Sequence, residues 1–159
     1  MDAFLQWLRD LPLSVWVAES DTVWAYPFVL FVHTVGIALT GGSAAVILMR
    51  VLGFARTLPL PAMRKLFPSL WAGFVLNAIS GTLLFNAAAT TTGYSPTYYL
   101  KLVLLLFATL TLLPVRTFIY DDRASSGSGI PFRVRGFAAL SLFLWAGVVA
   151  TGRLIAYLA

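Results

Sequence analysis

His33 is the sole histidine of the chain, and it stands inside a long apolar stretch, Trp24 to Met49. An imidazole at membrane depth is costly unless a partner, a ligand or water lies beside it, so this side chain is the first candidate for chemistry. Its ring nitrogens offer a metal ligand, a proton carrier or a hydrogen bond. Lys101, Arg153 and Asn86 also interrupt apolar runs, and Asn77 does so nearer mid-span. Cysteine is absent, which excludes disulfides, thiolate metal sites and cysteine nucleophiles. There is no Walker loop, GxGxxG, HExxH or GxSxG pattern, and no carboxylate pair within an apolar run. Enzyme catalysis is therefore not expected, although haem redox chemistry falls outside that test.

The elements that must position these residues follow from composition. Of 159 residues, 60% are hydrophobic and only 11% charged, whereas soluble domains carry about 25% charged residues. The expected fold class is all-α: a single integral membrane domain over residues 1–159, built as a four-helix bundle. Four stretches reach the roughly 20 apolar residues that a span needs, at about residues 24–49, 70–89, 97–120 and 136–158. Residues 2–12 carry Phe4, Leu5, Leu8 and Leu11 at helical spacing and are expected to lie on the membrane surface as a short interfacial helix. Asp121 to Gly129, DDRASSGSG, has the composition of an exposed loop.

The net charge of +5 does not speak for nucleic acid, because the basic residues cluster at span ends. Arg50, Arg56, Arg64 and Lys65 fill the first loop, and Arg116, Arg123, Arg133 and Arg135 flank the third. The positive-inside rule places both loops in the cytoplasm of a bacterial inner membrane and both termini outside. Trp24, Tyr26, Tyr94, Tyr98, Tyr99 and Tyr157 then form an outer aromatic belt. The lipid bilayer is the expected partner, with a homo-oligomer or a larger membrane complex built on small-residue helix faces.

On this topology His33, Lys101, Arg153 and Asn86 all fall in the outer half. His33 lies about 13 Å below the boundary at a rise of about 1.5 Å per residue. His33, Gly36, Thr40 and Ser43 share one face of the first span, and Gly73, Asn77 and Gly81 share one face of the second. Three readings follow. In the first, His33 ligates a b-type haem, Gly36 leaves room for the macrocycle, and Lys101 and Arg153 meet the propionates; electron transfer or gas binding is the consequence. In the second, His33, Lys101, Arg153 and Glu19 line a transport path. In the third, the protein is an accessory subunit, His33 hydrogen-bonds a backbone carbonyl or Asn86, and the two cations snorkel to headgroups.

Glu19-Ser20, Trp24-Ala25-Tyr26-Pro27, His33-Thr34-Val35-Gly36, Gly42 and Arg50-Val51-Leu52-Gly53 resemble the opening of a domain-of-unknown-function family of small bacterial four-span membrane proteins. Gly81-Thr82-Leu83-Leu84-Phe85 and Ser95-Pro96 with Lys101 resemble its second block. The layout is also similar to the membrane domain of copper-resistance protein D, a likeness of fold that implies no copper chemistry. The family often has an acidic residue before the arginine closing span one, where this chain has Leu48 and Met49. It often has a histidine at the end of span three, where this chain has Val115 and Arg116. The resemblance thus implies the architecture, and these departures speak against a cofactor held by two histidines.

Overall fold

The structure is a computed structural model that describes residues 2–54, 56–121 and 129–158, without the side chains of residues 156–158. It is all-helical among those residues: α1 (Asp2–Arg9), α2 (Pro12–Glu19), α3 (Tyr26–Leu52), a 3-10 turn (Leu60–Lys65), α4 (Leu66–Ala87), the short α5 (Ala89–Thr92), α6 (Pro96–Tyr120) and α7 (Phe132–Leu158). The four long helices are apolar and long enough to cross a membrane, and the chain is a multi-pass membrane protein. Most of the loop expected at Asp121 to Gly129 lies outside the described residues, as does the Tyr157 side chain.

Local chemistry sets the helix ends. Pro12, Pro27 and Pro96 stand in opening turns, where a missing N–H costs nothing and the fixed φ suits a helix. Gly53 closes α3 in the left-handed region at φ 103°, its N–H meeting the carbonyls of Met49 and Arg50; a side chain there would be strained. Pro114 sits inside α6 without ending it.

α3 packs along α4 and α7, and α7 along α6, whereas α4 and α6 scarcely pack along their lengths. The main core fills the lower part of the bundle, with Ala44, Ile47, Leu48, Phe67, Leu70, Ala108, Leu112 and Trp145 all buried in it. Here "lower" denotes the end where α3 stops and α4 starts. The α6–α7 contact is close because Ala108 and Ala138 are small and fully buried, and the Ser141 hydroxyl donates to the Ala108 carbonyl across it (3.1 Å). Val75, Ile79, Leu106, Phe107 and Phe143 are exposed on the outside, as a lipid-facing surface requires. At the lower end the guanidinium carbons of Arg64 and Arg116 lie 5.6 and 5.2 Å from the Tyr120 ring centroid. Arg64 Nε also donates to the Ile119 carbonyl (2.9 Å), joining the turn before α4 to the end of α6.

The N-terminal segment contains two helices where one was expected. α1 covers Asp2–Arg9, and α2 covers residues that sequence periodicity leaves unassigned, because PLSVWVAE is apolar almost all round. Arg9 and Glu19 form an ion pair between the two helices (3.1 Å). Val17 of α2 is buried against Val29 and Ala87 at the upper end. Leu5 of α1 packs on Gly93, where a Cβ would come within 2.8 Å of both its δ-carbons. Phe4, Trp7, Leu13 and Trp16 remain exposed, giving this cap an interfacial character.

Tyr94 ties the cap down by donating its phenol proton to the Asp2 carboxylate. That hydrogen bond, with the repulsion a phenolate would feel from Asp2, holds the Tyr94 pKa above its ordinary value. A group raised on folding stabilises the docked form below its ordinary titration range, and the contribution is lost as pH climbs through the elevated pKa. α1 should therefore stay docked through neutral and mildly alkaline pH and loosen above about pH 10. Trp7 fluorescence should report a step there, and Tyr94→Phe should abolish it; an unchanged step would disprove the link.

Candidate functional site

The two small-residue stripes meet face to face in the upper half of the bundle. A Cβ on Gly36 would stand 3.0 Å from the Asn77 backbone nitrogen and 3.1 Å from the Gly73 carbonyl oxygen. One on Gly73 would stand 2.6 Å from Leu39 Cβ and 2.7 Å from Thr40 Oγ1. The two backbones therefore approach as closely as small residues permit. The Thr40 hydroxyl turns back onto the Gly36 carbonyl (2.8 Å), so it brings no unpaired donor into the contact.

His33 occupies a notch of α4 just above this crossing. Nδ1 lies 3.0 Å from Ser80 Oγ, and Cε1 faces Gly81, where a Cβ would sit 3.1 Å away. The tautomer follows from the partners. Ser80 has a single proton and gives it to the Leu76 carbonyl (2.6 Å), so toward His33 the hydroxyl is an acceptor. Ser80 therefore calls for a proton on Nδ1, and Nε2 carries the lone pair. A ring held in this way is the arrangement of a ligating histidine, whose other nitrogen is pinned by an acceptor.

Lys101 belongs to the same layer. It lies five residues into α6, about 7 Å along the axis, and His33 lies seven into α3, about 10 Å. The Lys101 side chain runs along Gly152 of α7, whose added Cβ would be 3.7 Å from both Cε and Nζ, and its charge bears on the His33 ring. The ammonium has no hydrogen-bonding or ion-pair partner among the described residues. Arg153 follows Gly152 by one position and is turned to the exposed outside of α7. Asn86 is half-buried, and its side chain makes no hydrogen bond among the described residues. Glu19 is held by Arg9 in the N-terminal cap.

Of the expected site residues, the structure thus brings His33 and Lys101 into one layer and leaves Arg153 outside it. Gly36 is taken up by the helix crossing. Ser80 was not singled out by the sequence; the available signal was its place beside Gly81 and three residues after Asn77, on the face already marked as close-packed.

α4 carries Phe67, Trp71, Phe74, Ala78, Gly81 and Phe85 at helical spacing, and the first and last of them reach α6. Rings join the two helices at the ends of this stripe. Phe85 stacks on Tyr98 at the top (centroids 4.7 Å apart), and Phe67 meets Tyr120 at the bottom (5.6 Å). Ala78, between them, is exposed. Gly81 of this stripe faces the His33 ring. A planar iron-bearing group with carboxylates requires a nitrogen donor and a cation. His33 and Lys101 offer these, whereas Gly36 is taken up by the helix crossing and Arg153 lies outside. No protein-family profile, curated protein or solved structure matches the chain, so the meaning of this site rests on its own geometry.

Proposed function

We propose that the chain is a b-type haem protein of the bacterial inner membrane, with His33 Nε2 as axial ligand and electron transfer or gas binding as its role. The observation that supports this reading is the pinned Nδ1–H, which leaves a neutral, oriented imidazole with its lone pair on Nε2. Bound there, the haem supplies a one-electron couple or a gas-binding iron. Ser80 would hold the ring and increase its basicity. Lys101 neutralises a propionate close to the membrane boundary. Gly81 keeps the ring edge clear. On the positive-inside rule the lower end, with its arginines, faces the cytoplasm, so His33 and both termini lie toward the outside.

A second reading draws on the same contact. The His33–Ser80 hydrogen bond joins α3 to α4 directly above the Gly36–Gly73 crossing, as a purely structural fastener in a transport or accessory subunit would. The visible spectrum separates the two. Protein purified after haem-replete expression should show a Soret band and, after dithionite, sharpened α and β bands. A featureless spectrum under those conditions overturns the haem reading and leaves the fastener.

A further inference from the structure

A second concave site lies at the opposite end of the bundle, between the end of α6 and the start of α7. Its volume is about 380 Å³, its walls are Pro114, Phe118, Val134 and Phe137, and Thr117, Asp121 and Arg133 form its polar rim. A neighbouring recess shares Arg133 and Phe137 and runs on along α7 past Gly136 to Leu140. The trough is therefore apolar along its length and cationic at one end.

The charge at that end is available. Arg133 is exposed and has no hydrogen bond or ion pair among the described residues, whereas Asp121 is itself engaged in an interaction. Arg135, two residues on, is also exposed but lies about 200° round the helix. Both stand in the first turns of α7, where free backbone N–H groups add positive potential. Pro114 and Gly136 leave the trough unfilled, since neither projects a long side chain into it.

We infer that this trough binds an anionic phospholipid, its phosphate on Arg133 and one acyl chain along Phe118, Val134, Phe137 and Leu140. The location suits such a ligand, because the site lies where two spans leave the membrane and opens toward lipid at one side. Simple snorkelling would need no trough; a basic residue at the mouth of an apolar interhelical groove is the pattern of a headgroup site. A zwitterionic lipid is disfavoured, since its choline or ethanolamine would meet Arg133 as a like charge.

The test is native mass spectrometry of the detergent-purified chain with phosphatidylglycerol or phosphatidylcholine of the same acyl composition. Phosphatidylglycerol should bind at least five-fold more than phosphatidylcholine. Arg133→Gln should lower its bound fraction about five-fold, the effect of one surface cation, and Phe137→Ser should lower it as well. Arg153→Gln, which removes an exposed cation at the other end, should change nothing. Equal binding of the two lipids, or binding unaffected by Arg133→Gln or Phe137→Ser, overturns the proposal. Displacement of the lipid by an equal concentration of inorganic phosphate would also overturn it, since the site would then recognise phosphate alone.

Discussion

Replacing His33 with alanine should erase the Soret and α/β bands while leaving the four helices folded. The argument rests on the ring's two nitrogens having separate duties. Nδ1–H serves Ser80 (3.0 Å), and an interhelical hydrogen bond of this kind contributes about 1 kcal/mol in a membrane protein, so its loss is tolerable. Nε2 has no counterpart elsewhere, because the chain holds no other histidine and no cysteine. His33→Asn divides the two duties, since its amide N–H can still reach toward Ser80 but supplies no imidazole. Both variants should lose the spectrum, and asparagine should retain more stability than alanine. Imidazole added to His33→Ala should restore part of the band intensity by occupying the vacated place. Full band intensity in His33→Ala would show that iron is held elsewhere.

The largest effect on stability should come from Gly73→Val. Even the first carbon of the new side chain would lie 2.6 Å from Leu39 Cβ, 2.7 Å from Thr40 Oγ1 and 2.8 Å from the Thr40 backbone nitrogen. Leu39 Cβ and the Thr40 nitrogen belong to a helix and cannot rotate aside, so α3 and α4 must separate. Overpacking of this kind costs about 1–3 kcal/mol, and two further methyl groups place Gly73→Val at the upper end. Separation would also pull His33 from Ser80, so ligand binding should fall with stability. Gly41→Ala is the control: a Cβ there meets nothing within 4 Å, and its effect should stay within about 0.5 kcal/mol. The midpoint of SDS-induced unfolding reads both variants. A Gly73→Val protein as resistant as the parent would refute so close a crossing.

The four spans and the faces joining α3 to α4 were legible because each depends on periodicity alone. Gly36, Thr40, Gly73, Asn77 and Gly81 repeat at helical spacing, and small residues on two neighbouring spans have little to do except meet. Span ends were less legible. α4 starts at Leu66 and α7 at Phe132, each four residues ahead of the expected start, because a span is read from its apolar run whereas the helix also takes in flanking residues such as Pro68 and Arg133, which fit an opening turn. α2 escaped notice because a helix apolar on most sides shows no stripe. The identity of His33's partner was not accessible in principle: Asn86 and Ser80 both belong to the second span, and only the height at which α3 crosses α4 decides between them. For the same reason Lys101 and Arg153 looked equivalent, although one turns along Gly152 and the other turns outward.

The pairing of the long helices bears on how the chain is made. α3 with α4 and α6 with α7 are neighbours in sequence, joined along their whole lengths, while α4 and α6 meet mainly through Phe85–Tyr98 and Phe67–Tyr120. The first hairpin, with its glycine crossing and its His33–Ser80 bond, draws on no residue of α6 or α7. Assembly then consists of docking two preformed hairpins, α7 against α3, with mostly local contacts made early and few long-range ones left to find. Docking of the second hairpin then brings Tyr98 onto Phe85 and Tyr120 onto Phe67, so these two ring pairs join α4 to α6 only once both hairpins are present.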